Sequence, residues 1–455
     1  MILERYYLQC LSHASYLVGD EASGQAVVVD PRRDVEEYLS DAAARGVRIV
    51  GVINTHLHAD FVAGHLELAA ATGAWIGYGR RADAAFEFRP LAHGERIALG
   101  EVELQVLETP GHTWESISVV VRERPGAAPH AVLTGDAMFI GDVGRPDLAA
   151  AAGSSAQDLA RALYHSVHDV LLRLPDPTLV MPAHGAGSAC GKNLSTELVS
   201  TIGAQRHTNP SVRPMSEEQF VAELTVGQPL APAYFSDDVQ LNRSLHSLLA
   251  TGAPLPGLRA EDLPGSGTVV IDSRVPDEFA GGHLRGSINV GLDGRFAETA
   301  GMVAGLDERI VVVAEPGREQ ETRTRLGRIG FDNVVGYVAW PLPRAGLAGG
   351  RTDTAERVDV GELEQARRRG AIVLDVRNPD EVEQGAVPGS VRIPLPHLRR
   401  RMEELPNGER IVVYCASGWR SSVAASLMRW AGFADVCDVR GGYDEWSRRY
   451  HPAPA

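Results

Sequence analysis

Thr55-His56-Leu57-His58-Ala59-Asp60-Phe61 gathers two histidines and a carboxylate within seven residues. The apolar run just before it, 48–54, reads as a strand. His56 and His58 stand two apart, a spacing that lets an extended loop aim both inward. Three more loops that follow predicted strands carry similar side chains. They are Thr109-Pro110-Gly111-His112, Thr134-Gly135-Asp136 and Met181-Pro182-Ala183-His184. Sheets bind their ligands where strands give way to loops, so these four loops are placed to converge. One histidine after a strand is ordinarily structural. Four such loops, each with His or Asp, point to a metal.

Around these loops the chain alternates strands and helices. Runs 26–30, 48–54, 102–107, 117–121, 131–133 and 178–181 read as strands, and 35–45, 63–72 and 155–172 as helices. The proline-rich stretch 209–256 reads as an extension of the first domain followed by a linker. At 455 residues the chain is too long for one core. Its 44% apolar and 23% charged content is that of a soluble globular protein. A net charge of −15 disfavours nucleic acid and anionic membrane as partners. No apolar run is long enough to span a membrane, and Met1 to Tyr7 lacks a signal peptide's apolar segment. Cys10, Cys190, Cys415 and Cys437 are too few and scattered for a disulfide framework, so a reducing, cytoplasmic setting is expected.

The four loops resemble the metallo-β-lactamase superfamily, whose marks are His-x-His-x-Asp, a later Gly-His, a Gly-Asp and a final His. The resemblance covers 1 to about 245 and implies an αββα sandwich. Dinuclear hydrolases of that family carry a histidine after the motif's aspartate; here Phe61 stands there, and a phenyl ring cannot bind a metal. The persulfide dioxygenase branch keeps one Fe(II) on two histidines and one aspartate. Carried over, these are His56, His112 and Asp136, a set that leaves open positions for oxygen and substrate. His58 and Asp60 then become groups that orient the ligands. His184 either contacts substrate or is a remnant of the second site that holds a water. The plainer reading of Phe61 is core packing, with His58, Asp60 and His184 still holding a weak second ion.

Two nearby residues extend this expectation. Arg145 offers a planar donor set for a substrate carboxylate, such as that of glutathione, or else pairs locally with Asp147 or Asp142. Cys190 sits six residues past His184, ahead of a helical pattern starting near Leu194 and beside Lys192. That setting suggests a low-pKa thiol able to accept or relay sulfur, against a buried turn cysteine. Cys10, on a predicted strand, and Cys437 read as core residues.

The C-terminal part is a repeat. Val269 to Arg274 is echoed by Ile372 to Arg377, with Asp272 and Asp375 103 residues apart. Pro-Asp-Glu follows each, and Gly286-Ser287-Ile288 matches Gly389-Ser390-Val391, each 14 residues past its aspartate. Such a period means duplicated α/β domains with mainly parallel sheets. The segment 346–354 reads as their connector. Tyr414-Cys415-Ala416-Ser417-Gly418-Trp419-Arg420 lies between an apolar strand and a helical run, so its backbone N–H groups curl toward the sulfur. Arg420 adds positive charge. With Asp375-Val376-Arg377, Pro388-Gly389-Ser390 and Gly441 to Trp446, this loop resembles a rhodanese, a sulfurtransferase that carries sulfur as a cysteine persulfide. Asp375 and Arg377 are expected to brace the fold. In the first copy Glu315 replaces the cysteine, and Glu315 to Phe331 spans 16 residues against 18 from Cys415 to Phe433. Glutamate forms no persulfide, so that copy is expected to be silent.

The whole resembles fused persulfide dioxygenase–rhodanese proteins of sulfide detoxification. The expected domains are a dioxygenase over 1–245, a silent rhodanese-like domain over 257–345 and an active rhodanese over 355–455. The resemblance implies one Fe(II) per chain, oxidation of a glutathione or coenzyme A type persulfide by O2 to sulfite and thiol, and sulfite or thiosulfate exchange at Cys415. A homodimer is the expected assembly. Rival readings are a glyoxalase II-type thioester hydrolase and a persulfide carrier or sensor with a structural metal.

Overall fold

The computed structural model describes residues 1–150, 153, 155–263, 267–342 and 351–451. Part of the expected connector, 346–350, lies outside the described residues, as do 343–345 and 452–455. The described residues form two compact units. One holds Met1–Ala231, Phe235–Ala250 and Arg328–Gly330; the other holds Pro232–Tyr234, Thr251–Gly327 and the chain from Phe331 on.

The first unit is a sandwich of two six-stranded sheets. One sheet runs Ile2–Leu8, His13–Asp20, Gln25–Val29, Arg48–Ile53, Trp75–Gly79 and Arg89–Leu91 in chain order. The other sheet is equally sequential, from Arg96–Leu99 through Val102–Glu108, Ile117–Arg122, Ala131–Gly135 and Leu179–Pro182 to Ser200–Thr201. Period-two alternation sorts the side chains. Tyr16, Val18, Val27 and Val29 meet Leu104, Val106, Val119 and Val121 in the shared core. Their neighbours Leu17, Val28 and Val52 face outward under Tyr38, Ala42 and Leu68 of the helices Glu36–Ala44 and His65–Thr72. On the opposite side Val120, Val132 and Val180 are covered by Ala160 and Leu163 of the helix Ala156–His165. This is the αββα order expected. The predicted helix 155–172 is regular only to His165, then continues as a wider turn, Ser166–Val170, and a tighter one, Leu171–Arg173. Cys10 lies in the turn between the first two strands and is half-buried, so it is not a core strand residue.

The second unit contains two parallel sheets. Thr268–Asp272 lies between Ile288–Asn289 and Arg309–Ala314, with Val334–Ala339 beyond. In the second repeat Ile411–Tyr414 lies between Ile372–Asp375 and Val436–Val439, with Val391–Arg392 and Arg357–Val358 at the edges. Each repeat locks its first strand end the same way. Arg274 bonds Asp272 and the Gly282 carbonyl, and Arg377 bonds Asp375 and the Gly385 carbonyl. Arg377 also lies 3.9 Å over the Tyr443 ring and Arg274 4.1 Å over Trp340. These pairs brace the fold, as expected. Cys437 is fully buried in its strand. Among the described residues no helix is long and apolar enough to cross a membrane.

Leu104→Ala tests the shared core of the first unit. Removing that fully buried side chain is expected to cost about 3 kcal/mol, read as a lower denaturant midpoint. An unchanged midpoint would mean the two sheets do not pack on each other there.

Candidate metal centre and sulfur site

Each predicted ligand loop begins where a strand stops. Arg48–Ile53 leads to His56, Val102–Glu108 to His112, Ala131–Gly135 to Asp136 and Leu179–Pro182 to His184. His56, His112 and Asp136 come together, all buried, with donor atoms close enough to share one ion. Asp136 Oδ2 stands 3.8 Å from His56 Nε2 and 3.6 Å from His112 Nε2. Both distances are too long for hydrogen bonds. Among the described residues His56 Nε2 and Asp136 Oδ2 are buried with no hydrogen-bond partner. A cation about 2.0–2.2 Å from each atom satisfies them together, so the donor set fits a metal.

The other ring nitrogens are already engaged. Thr55 Oγ1 lies 3.0 Å from His56 Nδ1, and His112 Nδ1 donates to the Arg145 carbonyl at 2.8 Å. These bonds aim both Nε2 atoms toward Asp136 Oδ2. Burial, together with the neighbouring histidines, holds His56 well below the usual imidazole range. It is therefore neutral, the form that ligates. Gly144 is required by close approach: a Cβ there would collide with the Asp136 carbonyl and stand 3.0 Å from the His112 Cβ.

His58 and Asp60 do not join this set. His58 Nε2 bonds Asp30 at 3.0 Å. His184 lies between two carboxylates, 2.7 Å from Asp136 Oδ1 and 2.8 Å from Asp60 Oδ2. Burial lowers its pKa, but Asp136 and Asp60 outweigh that and raise it well above the usual value. His58, Asp60 and His184 also lie close enough to share an ion, but Phe61 packs against them. Its ring is fully buried, 4.4 Å from the His58 ring and 4.1 Å from that of His13.

Arg145 takes the local pairing offered as its alternative, and Cys190 lies close to Asp136 and His184 but without the expected helix after it. The Arg145 guanidinium is committed to Asp147, at 2.7 and 2.5 Å, and to the Ala189 carbonyl at 2.9 Å. The nearby carboxylate competes for the fork, so the side chain is not free for substrate; it is the Arg145 carbonyl that serves the site. Cys190 is buried, and no helix starts near Leu194. Lys192 turns away to the Glu223 and Val226 carbonyls. Burial first, then Asp60 and Asp136, push the Cys190 thiol well up, and its sulfur lies close to Asp136 and His184.

Three contributors were not anticipated. Asp30 accepts from the Thr55 N–H, the Thr55 hydroxyl and His58, and does so from a left-handed backbone with φ 51°. Asn242 donates to the His58 and Phe61 carbonyls and accepts from the Ala63 N–H, all at 2.8 Å. It clamps the loop from 184 residues away, a distance no local pattern signals. His13 is fully buried, and burial holds it well below the usual imidazole range.

In the second unit Cys415 directly follows Ile411–Tyr414 and is buried. Its Sγ accepts the Gly418 N–H at 3.2 Å and stands 3.7 Å from Ser421 Oγ. The helix Arg420–Trp430 begins at the loop's end. Arg420 is present as expected but arrives with a counterion, Glu381, at 2.6 and 2.7 Å. Glu315 is exposed.

The family profile described as "Metallo-beta-lactamase superfamily" matches residues 8–184, and "Rhodanese-like domain" matches 259–340 and 359–449. The human mitochondrial persulfide dioxygenase is 30% identical over 208 residues, which cover 46% of this chain and 74% of that protein. A hydroxyacylglutathione hydrolase from Polaromonas sp. is 34% identical over 188 residues, 40% of this chain and 66% of that protein. The crystal structure of a metallo-beta-lactamase from Staphylococcus aureus is 30% identical with a TM-score of 0.68, covering 74% of this chain and 98% of that one.

Phe61→His should raise the metal bound per chain from about one toward two, read by elemental analysis after metal loading. Unchanged stoichiometry would mean that position 61 does not face a second site.

Proposed function

We propose, for a chain that belongs to the metallo-beta-lactamase superfamily and continues into two rhodanese-like domains, oxidation of a low-molecular-weight persulfide in the first unit and sulfur transfer in the second. The overall oxidation takes RSSH, O2 and H2O to RSH, sulfite and two protons. A single Fe(II), when bound, supplies open positions and redox chemistry for O2 and the terminal sulfur. His56, His112 and Asp136 would hold it. The observation that carries this reading is Phe61: a phenyl ring fills the place beside His58 that a second metal's ligand would need. One ion on two imidazoles and a carboxylate suits oxygen chemistry better than two-metal hydrolysis.

The chain's own residues have separate tasks. Thr55 and the Arg145 carbonyl hold the two imidazoles in orientation. His184 keeps a proton between Asp136 and Asp60 and so fixes the carboxylate's second oxygen. Phe61 and His13 close the inner wall with buried rings. The substrate is a glutathione or coenzyme A type persulfide. Arg145 is paired with Asp147 and is not assigned to a glutathione carboxylate.

Cys415 carries the sulfane sulfur. Its thiolate attacks thiosulfate, the S–S bond of thiosulfate breaks, and sulfite leaves with the electron pair. The enzyme persulfide then gives its outer sulfur to a thiol and regenerates the thiolate. Thiol–persulfide exchange runs both ways, so the pair of sites either feeds RSSH to oxidation or converts sulfite to thiosulfate. The dioxygenase domain is assigned to 1–245, the silent repeat to 257–345 and the active rhodanese to 355–455. Thioester hydrolysis, the activity in the name of the Polaromonas relative, is disfavoured by Phe61.

Cys415→Ser should abolish thiosulfate sulfurtransferase activity while oxygen uptake with glutathione persulfide stays within about twofold of the parent. Loss of both activities would refute this division of labour.

A further inference from the structure

Asn289 belongs to the repeat that lacks a cysteine, yet it bonds the helix that carries the sulfur loop of the other repeat. It is fully buried at the end of the edge strand Ile288–Asn289. Its Nδ2 donates to the Asp272 and Arg274 carbonyls at 3.2 and 2.8 Å, which pins it to its own domain. Its Oδ1 accepts the Ser422 hydroxyl at 2.7 Å, and its backbone N–H donates to Ser426 Oγ at 2.9 Å. Ser422 and Ser426 lie one turn apart on Arg420–Trp430, whose start closes the Cys415 loop.

Two further contacts reach the loop itself. Gly291 lies against the Trp419 indole so closely that a Cβ on Gly291 would penetrate the ring. Arg357 donates to the Gly418 carbonyl at 2.7 Å, beside the N–H that Cys415 accepts, and its guanidinium also meets Asp277 of the first repeat at 2.8 Å. The arrangement is one-sided. The strand equivalent to Ile288–Asn289 in the second repeat, Val391–Arg392, is exposed, while Ile288 and Asn289 are buried.

We propose that the cysteine-free repeat moulds the Cys415 loop, and that Asn289 is a positioning residue for sulfur transfer acting through Ser422. The proposal rests on the reading of Cys415 as sulfur carrier and adds a reason for retaining a domain whose own loop carries Glu315. A loop whose Gly418 N–H reaches the sulfur depends on that group's direction, and Arg357 holds the Gly418 carbonyl from outside the loop.

The test uses the full chain with Asn289→Ala, Ser422→Ala, the double variant and Gly291→Ala. Sulfur transfer from thiosulfate to cyanide gives kcat and KM. Alkylation of Cys415 by iodoacetamide across pH, followed by peptide mass, gives a readout independent of turnover. Asn289→Ala should lower kcat about tenfold with KM for thiosulfate within about twofold, and should shift the pH profile of alkylation. The double variant should be no worse than the poorer single variant, because the two residues act through one bond. Gly291→Ala should give the same pattern if Asn289→Ala fails to fold. Kinetics and alkylation within about twofold of the parent in both Asn289→Ala and Gly291→Ala would overturn the proposal, as would losses that multiply in the double variant. If the parent transfers no sulfur, the carrier reading fails, and the alkylation profiles alone decide whether the first repeat shapes the loop.

Discussion

The first unit depends on a buried carboxylate that the protein satisfies only by half. Asp136 gives one oxygen to His184 and turns the other toward two imidazoles beyond hydrogen-bond reach. An ionised oxygen in that state costs several kcal/mol unless a positive charge sits beside it. His184 and His112, acting against burial, hold the Asp136 carboxyl below its usual range, so it is charged. The charge of His184 is shared with Asp60 and meets only Oδ1, while neutral His56 leaves Oδ2 without a partner. The arrangement asks for a cation. The surrounding structure makes the place for one: strands of both sheets deliver the loops, Asp30 and Asn242 tie down the histidine loop, and Gly144 lets the Asp136 and His112 segments approach. Beside His58 the space is filled by the buried ring of Phe61.

The second unit places a buried thiol, Cys415, in a tight loop ahead of a helix. The Gly418 N–H reaches the Cys415 sulfur and a helix starts at the loop's end, while Arg420 is balanced by Glu381 and the Ser421 hydroxyl donates to Asp438. Fixed dipoles have value only if they stay aimed, which links the loop's chemistry to the packing of its neighbour through Asn289 and Trp419.

Much of this was legible in the sequence because it is local. Strand runs and the loops after them lie within a few residues, so the loops that carry His56, His58, His112, Asp136, His184 and Cys415 could be found from their neighbours, while the choice of His56, His112 and Asp136 as a set came from the family resemblance. The repeat was legible because Asp272 and Asp375 carry the same short motif to the same strand end. The misses have a physical pattern. Asn242 and Asp30 act across long stretches of chain, and nothing near them signals it. Arg145 left two readings open in the sequence, and the carboxylate two residues away takes its guanidinium in the structure. The segment after Cys190 was misread as helical, whereas Ser195 bonds the Ile140 carbonyl and accepts from Ala186, holding it as a loop.

The most direct test of the account is oxygen uptake by anaerobically purified, iron-quantified protein given glutathione persulfide, with sulfite and thiosulfate assayed together. The account predicts uptake that scales with iron and saturates near about one per chain, with sulfite as first product. No uptake from iron-loaded protein, with coenzyme A persulfide failing as well, would contradict it.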